Sequence, residues 1–405
     1  MAVEALNHTD EYISLFHRYI SRSIEALATQ IGPAPQELNS ETREQAWHLL
    51  DYALKLAHGW QVAGQLLLTL APLMEREGFR REWLPFLERG VACAQRAGDL
   101  RGEAHLALYV GRLFRLRTDY GAANQWLERS ATLFQQVDDG ARRARALNQL
   151  AYVARLQNNF DHAKALVTEA FALLDEDDVE RASCHWVLGT IANVLLQWDE
   201  GEYHNRRAYE IWQTAGDLQR AAWGLQNLGH TLRGAGRYTE AAANIERAIQ
   251  LLGELHDPVN QAIARMGLGI IHIYNHAPDK ALALFQLAEP IFRQVGDQLH
   301  LAMVYTNMTI VQRDLGHFAA SAQSGQRALY HAQVINDPKI AANAADELGT
   351  THLANEDYAE AEATLTTGLE LIAQVPPDSF QSLVQNSLRE HLEAVRERRG
   401  TAGNT

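Results

Sequence analysis

Two histidines with metal-binding spacing are the first candidates for chemistry in this sequence. His272 and His276 lie four residues apart, so on a helix both imidazoles would project from one side, as the ligands of a zinc ion do. No cysteine or carboxylate stands at a matching position in that segment to complete a ligand set. We interpret both histidines as packed or solvated side chains, and we predict no metal site and no cofactor.

Other stretches that could carry catalysis or bind a nucleotide also lack essential residues. The sequence GLGIIH, residues 267–272, has two glycines of a dinucleotide fingerprint but not the third, and it falls within a predicted helix. The acidic run Asp175–Asp178 lacks the glycine and the ligand spacing of a calcium loop. The sequence has no Gly-Lys pair, His-Glu-x-x-His, Cys-x-x-Cys or Gly-x-Ser-x-Gly motif. These absences predict a protein that is not an enzyme.

The amino-acid composition limits which classes of partner and which cellular compartment are expected. Among 405 residues, 36 are lysine or arginine and 50 are aspartate or glutamate, which gives a formal charge of −14. A chain this acidic neutralises DNA or RNA phosphates poorly, so we expect no nucleic-acid partner. The longest strongly apolar run, Gln65–Met74, is about half a membrane span, and the first residues do not resemble a signal peptide. Together with only two cysteines, Cys93 and Cys184, this predicts a cytoplasmic protein with no membrane partner.

An internal repeat of about 40 residues defines the elements that must position any binding residue. Columns of glycine or alanine keep the same register nine residues before, three after and ten after a predicted turn. An aspartate recurs in most units before the first helix, where it can cap free backbone N–H groups. The turn column consists of Arg80, Tyr120, Phe160, Trp198, Tyr238, Pro278, Phe318 and Tyr358.

Each repeat predicts two helices joined by a tight turn, for example Arg220–Gly234 followed by Thr239–Leu252. Helices approach to about 8 Å only where the contact carries small residues, which explains the glycine and alanine columns. A single helix pair cannot bury its apolar faces alone. The units are therefore predicted to stack on one another as a solenoid.

The repeat resembles the tetratricopeptide repeat, although the usual period of that family is shorter. The longer period resembles the repeats of kinesin light chains, Pins-type spindle adaptors, Rap-type quorum-peptide receptors and the sensor arms of STAND signalling ATPases. The resemblance covers about residues 60–373. It implies an all-α, right-handed superhelical solenoid of about eight helix-turn-helix repeats that binds a protein or peptide. The matching residues in one unit are Ala222, Leu225, Leu228, Gly229, Tyr238, Ala241 and Ala248.

Both ends of the array are predicted to be covered by helices, because an exposed solenoid end would leave apolar surface in water. The N-terminal helices, expected at residues 9–28 and 41–58, could alternatively form a separate interaction module. We predict an N-terminal helical cap at residues 1–58, the repeat array at 59–374, a C-terminal capping helix at 375–398 and a disordered tail at 399–405.

In the resembled family, the first helix of each unit lines a concave groove. The corresponding positions here hold six arginines and one acid, despite the acidic composition. Only four of the 36 basic residues are lysines, which either reflects genomic base composition or favours bidentate capture of carboxylates. Burial between helices is the alternative for individual residues. The predicted groove residues are Arg112, Arg115, Asn148, Tyr152, Arg155, Trp186, Asn193, Trp223, Gln226, Asn227, His230, Arg233, Ile270, Ile273, Met303 and Arg313.

These residues predict a non-catalytic scaffold or adaptor that binds an acidic peptide segment with apolar anchors. Tryptophan and arginine are enriched at binding hot spots, and arginine suits peptide carboxylates. The peptide's acids are expected on Arg115, Arg155 and Arg233. Its apolar side chains are expected on Ile270, Ile273 and Met303. The alternative is a ligand- or peptide-sensing regulatory protein or subunit that controls a separate effector, such as an ATPase, a protease or a transcription factor. The sequence leaves the oligomeric state open.

Overall fold

The computed structural model describes residues 2–32, 37–56, 59–375 and 379–402. Within them, only the backbone is described for the first ten residues, for Arg76 and for a few residues at the two ends of the last helix. The chain divides into two compact units. Unit 1 comprises Met1–Gly234 with Leu251–Asp257, and unit 2 comprises Ala235–Gln250 with Pro258–Thr405.

All regular secondary structure of the described residues is helical, and neighbouring helices within each unit pack in consecutive pairs. The fold is therefore all-α, as the sequence predicts. The nineteen helices of the described residues are α1 (Ala2–Ile31), α2 (Ser40–Ala53), α3 (Trp60–Arg76), α4 (Arg80–Ala97), α5 (Leu100–Leu116), α6 (Tyr120–Gln136), α7 (Gly140–Leu156), α8 (Phe160–Ala172), α9 (Arg181–Val194), α10 (Trp198–Thr214), α11 (Leu218–Gly234), α12 (Tyr238–Glu254), α13 (Pro258–Tyr274), α14 (Pro278–Gln294), α15 (Gln298–Asp314), α16 (Phe318–Val334), α17 (Pro338–Ala354), α18 (Tyr358–Ile372) and α19 (Ser379–Ala402).

The eight even-numbered helices from α4 to α18 each begin at a residue of the predicted turn column. Capping by the aspartate column is also confirmed. The Asp99 and Asp139 carboxylates accept hydrogen bonds from the backbone N–H groups of Gly102 and Arg142, and Asp217 accepts one from Arg220. These bonds satisfy donors that would otherwise be free at the helix start.

Glycines of the first helices allow the second helix of the same pair to approach closely. A Cβ atom added to Gly111 would lie 2.7 Å from Leu127 Cγ, and one on Gly269 would lie 2.5 Å from Phe285 Cε1. Gly349 meets Leu365 in the same way. A larger residue at these three positions would force the two helices apart, so these glycines fix the spacing and the register of their pairs.

The chain ends are helical, with boundaries that differ in detail from those expected. Helix α1 is longer than the predicted helix at 9–28, and α2 ends at Ala53 rather than near residue 58. Helix α19 packs against α17 and α18, and its His391 Nδ1 lies 2.7 Å from Asp346 Oδ1. It continues to Ala402, into the segment expected as a tail, and residues 403–405 lie outside the described residues.

The turn between α9 and α10 contains a leucine in the left-handed backbone region. Leu196 has φ of 59°, and its side chain is 67% exposed. The equivalent residues of two later turns are glycines, Gly236 and Gly316, with φ of 77° and 76°. A side chain with a Cβ atom is disfavoured in this region because it approaches the following carbonyl oxygen. The equivalent residues of four other turns, Thr118, Asn158, His276 and Glu356, are also left-handed without being glycine, so Leu196 carries a backbone strain that several repeats share.

We expect Leu196→Gly to stabilise the protein by about 0.5–1 kcal/mol, because relief of the left-handed strain exceeds the cost of a more flexible unfolded chain. The reciprocal change Gly236→Leu should lower stability by a similar amount, since a Cβ there meets no other atom within 4 Å and only the backbone is affected. Thermal unfolding followed by circular dichroism measures both. A lower midpoint for Leu196→Gly would show that the leucine makes a compensating contact.

Candidate binding site on the first helices

The predicted groove residues divide between the two units. Unit 1 holds the twelve polar and aromatic candidates from Arg112 to Arg233, all on α5, α7, α9 and α11. Unit 2 holds Ile270, Ile273, Met303 and Arg313 on α13 and α15. The surface of unit 1 formed by its candidates, together with Arg145, is called the arginine face below.

Aromatic rings connect neighbouring helices across the arginine face. The Arg115 guanidinium lies over the Tyr152 ring, 5.0 Å from its centroid, and the Arg155 guanidinium lies 5.8 Å from the same centroid. The Tyr152 and Trp186 ring centroids are 4.5 Å apart. Helices α5, α7 and α9 therefore contribute to one continuous surface of arginine and aromatic side chains.

Two arginines of this face are desolvated without forming an ion pair with a carboxylate. Burial lowers the pKa of Arg115, and the positive charge of Arg112 lowers it further against the favourable effects of Tyr152 and Glu75. Burial likewise lowers the pKa of Arg145, although Glu180 opposes this. Among the described residues, neither guanidinium, nor that of Arg155, forms an ion pair. Arginine side chains are not deprotonated in proteins, so the face carries positive charge that is only partly exposed to water.

Two acidic side chains partly balance this charge. Glu75 of α3 pairs with Arg112 at 2.8 Å between Oε1 and Nη2. Burial lowers the pKa of Arg112, but the Glu75 carboxylate more than offsets this and raises it overall. Glu180, which is 9% exposed, accepts hydrogen bonds from Asn148 Nδ2 at 3.1 Å and Arg220 Nη1 at 3.2 Å.

Glu180 is the main residue that the sequence interpretation missed. Arg145 is one of the six arginines counted at the groove positions, although it is not among the predicted site residues. Glu180 precedes α9 in the shortened loop of the third repeat, outside every aligned column. Only the fold brings its carboxylate against side chains of α7 and α11.

Several predicted groove residues are buried or form hydrogen bonds within the protein, so they are not fully available to a ligand. Asn148 is 1% exposed and Gln226 is 8% exposed, so both are buried. Asn193 accepts a hydrogen bond from the Thr231 hydroxyl at 2.7 Å, and Asn227 donates to the carbonyl oxygen of Trp223 at 3.1 Å. The prediction of these amides as peptide ligands is therefore weakened, because their hydrogen-bonding capacity is already used in part.

His230 lies near the arginines at the α11 end of the face. Burial lowers its pKa to about 4, and the neighbouring positive charges of Arg233 and Arg155 contribute in the same direction. The imidazole is therefore neutral at pH 7 and adds no charge to the surface. It remains available as a hydrogen-bond donor and acceptor.

The unit 2 candidates form a smaller apolar surface. Ile270, Ile273 and Met303 are half-buried and pack against the core of that unit. Arg313 is ion-paired with Glu347 at 2.8 Å, and it also donates to the Glu347 carbonyl oxygen. The one acid among the predicted groove positions, Asp346, is 5% exposed and covered by α19.

The two histidines with zinc-like spacing are separated by the end of a helix. His272 lies in α13, whereas His276 lies in the following turn with φ of 53°. Among the side chains that the structure describes, no three histidine, cysteine or acidic groups are arranged to hold a metal ion. Nor does any described helix combine the length and apolar character needed to cross a membrane.

Comparison with known proteins identifies the repeat. Residues 181–254 match the tetratricopeptide repeat family model. A solved STAND ATPase with a tetratricopeptide repeat sensor from Pyrococcus horikoshii is 16% identical, with a TM-score of 0.55 over 79% of this chain and 50% of that one. This chain thus corresponds to about half the length of the ATPase. No curated protein matches the sequence.

Two further structures resemble the chain over most of their length. A Rap protein complexed with competence and sporulation factor is 14% identical, with a TM-score of 0.52 over 96% of this chain and 98% of that one. Aspartyl phosphate phosphatase F from Bacillus subtilis is 14% identical, with a TM-score of 0.51 over 87% and 93%. At these identities the likeness shows the fold alone. The fold is of the tetratricopeptide type.

We expect acid to destabilise the protein partly through His230. Its pKa is about 4 in the fold and near 6.5 when unfolded, so the unfolded state binds more protons as the pH falls from 6.5 towards 4. Between pH 7 and 5 this should cost about 1–2 kcal/mol. His230→Gln should reduce the loss, whereas changing the exposed His48 to glutamine should not. Urea unfolding at pH 7 and at pH 5 measures the free energy of unfolding. If both variants lost the same free energy between these pH values, the effect could not be assigned to His230.

Proposed function

We propose that this tetratricopeptide-type protein is a non-catalytic interaction scaffold whose arginine face binds an acidic peptide segment. The observation that carries the proposal is the group of guanidiniums of Arg115, Arg145 and Arg155, which form no ion pair in the described part of the chain. Burial desolvates those of Arg115 and Arg145. A guanidinium that is partly removed from water pays a desolvation free energy. A ligand that supplies carboxylates would compensate it.

The arginine side chains of the face suit a carboxylate ligand better than ammonium groups, which act as point charges, would. Arginine presents a planar fork of N–H donors that can hold a carboxylate through two hydrogen bonds. The guanidiniums of Arg115 and Arg155 are oriented by the Tyr152 ring that lies between them. Their side chains are therefore partly ordered before binding, which lowers the entropy lost when a peptide is captured.

The aromatic side chains of the face provide apolar contacts for the same segment. Trp186 and Trp223 are half-buried, and their indole N–H groups have no hydrogen-bond acceptor in the described structure. Buried indole N–H groups ordinarily find a partner. A peptide brings carbonyl oxygens as acceptors as well as side chains that can pack on the rings. In unit 2, the apolar surface at Ile270, Ile273 and Met303 offers a separate contact for apolar side chains.

The binding test uses the whole chain and a fluorescein-labelled peptide rich in glutamate with leucine at every fourth position. We expect the double variant Arg115→Gln/Arg155→Gln to bind this peptide about 10- to 100-fold more weakly, because it loses two charge-assisted hydrogen-bonding groups. Fluorescence anisotropy at fixed ionic strength measures the dissociation constant. Circular dichroism checks that the helical content is retained.

The matched control is Arg117→Gln/Arg206→Gln, which removes the same charge from two exposed arginines. It should leave affinity nearly unchanged, because long-range attraction between exposed charges is largely screened by salt. A peptide with every glutamate replaced by lysine should not bind. The proposal fails if the two double variants weaken binding equally, or if the lysine peptide binds as well as the glutamate peptide.

A ligand-sensing regulatory protein that controls a separate effector is the second candidate. It is favoured by the correspondence, over almost the full length of both chains, with a Rap protein whose structure contains competence and sporulation factor. A sensor must adopt different conformations with and without its ligand, since a ligand shifts an equilibrium only through different affinities for the two states. A scaffold has no such requirement.

Small-angle X-ray scattering distinguishes the two candidates. With saturating glutamate-rich peptide, a sensor should change its radius of gyration beyond the mass added by the peptide, whereas a scaffold should not. The Arg115→Gln/Arg155→Gln variant serves as the unbound control at the same peptide concentration. An unchanged scattering profile under conditions of proven binding would contradict the sensor.

A further inference from the structure

A cavity of about 760 Å³ lies away from the arginine face, at the irregular third repeat of unit 1. Its walls come from the end of α8, the loop between α8 and α9, the start of α9 and the outer side of α10. None of the predicted groove residues lines it. It is therefore a separate feature of the molecule, and it is independent of the proposed peptide site.

The cavity exists because the second helix of this repeat is about one turn short. Helix α8 has 13 residues, whereas α6 and α10 have 17. The residues that would form the last helical turn instead form the loop from Leu173 to Glu180. This loop leaves the space open beside Phe171, Tyr203 and Ile211.

The lining combines aromatic and apolar walls with an acidic rim. Glu176 and Asp177 on the rim are exposed, and neither carboxylate has a hydrogen bond or ion pair within the described residues. The two basic residues of the lining are already engaged. The Arg181 guanidinium lies 4.8 Å from the Phe171 ring centroid, and Arg207 pairs with Glu210 at 3.0 Å.

The aromatic wall beside the rim is open and uncharged. The Tyr203 ring is 58% exposed and has no cation over it in the described structure. Next to it, His185 Nδ1 and His204 Nδ1 are 2.9 Å apart, so one imidazole donates a hydrogen bond to the other. Burial lowers the pKa of both, that of His185 to about 4, and the positive charges of Arg207 and Arg181 lower the pKa of His185 further. The histidine pair is neutral at pH 7 and adds no positive charge of its own, so the positive charge of the lining is that of Arg181 and Arg207.

We propose that this cavity binds an aliphatic ammonium group. Its positive charge lies between the carboxylates of Glu176 and Asp177 and the open face of Tyr203, and its methylene stem contacts Tyr203 and Ile211. A cation is attracted both by carboxylates and by the face of an aromatic ring. The same chemistry is offered by a free diamine and by a lysine side chain of a partner peptide, and the experiment separates the two sources.

The test titrates the whole chain with 1,5-diaminopentane and, separately, with acetyl-Gly-Lys-Gly-amide, by ligand-observed NMR at fixed ionic strength. We expect saturable binding of at least one amine. Glu176→Gln/Asp177→Asn and, independently, Tyr203→Ala should each weaken it about fivefold or more, because one change removes the charge attraction and the other the cation–π contact. Both sites are exposed, so the fold should survive, and circular dichroism verifies this.

Three controls make the result decisive. Glu128→Gln/Asp161→Asn removes the same charge from exposed acids outside the cavity and should leave affinity unchanged. 1,5-Pentanediol should not bind, since it has the stem without the charge. Equal weakening by both acid-to-amide pairs, or displacement of the amine by magnesium chloride at the same ionic strength, would indicate general attraction to acidic residues and overturn the proposal. Unaltered binding in Tyr203→Ala would overturn it as well.

Binding of the diamine alone supports a free amine as the natural ligand, whereas binding of the lysine peptide alone supports a partner side chain. Failure of both amines, with the glutamate-rich peptide still bound, would overturn this inference and leave the peptide site untouched. Binding of an amine without binding of the glutamate-rich peptide would support this inference and overturn the proposed peptide site. The two sites can therefore be judged separately.

Discussion

Close contact between the two helices of a pair is the constraint on which the rest of the structure depends. The backbone of the first helix must approach the side chains of the second so closely that no Cβ atom fits at Gly111, Gly269 or Gly349. The small residues three positions into the second helix, such as Ala123 and Ala281, are fully buried for the same reason. Because small residues recur at this contact about every 40 residues, the pairs have similar spacing and register, and successive pairs within a unit can pack in the same way.

This constraint also determines which residues are free to vary. One side of each first helix is committed to its partner helix and another to the neighbouring pair. The remaining side can accept large and charged residues, and in unit 1 these are arginines with Tyr152 and Trp186 between them. The desolvation of Arg115 and Arg145 follows from their position among large neighbours on that side. The repeated scaffold thus concentrates positive charge in a chain whose overall charge is −14.

The third repeat departs from the pattern, and its shorter second helix has two consequences. The loop that replaces the missing turn brings the Glu180 carboxylate within hydrogen-bonding distance of Asn148 and Arg220. The same loop opens the cavity beside Tyr203. Two features that stacking does not require therefore occur together at this loop, which is where functional features are expected.

The sequence by itself determined the fold class, the helix pairing and the start of every second helix from Arg80 to Tyr358, because packing at a fixed period leaves a periodic record of small residues. It also identified the columns that carry arginine and tryptophan. Only the tertiary structure decided which of these side chains remain accessible. Asn148 and Arg145 occupy similar groove columns, yet one is 1% exposed and the other is not fully buried. Accessibility and ion pairing depend on residues distant in sequence, such as Glu180, whose positions follow from how the helices pack and not from the repeat.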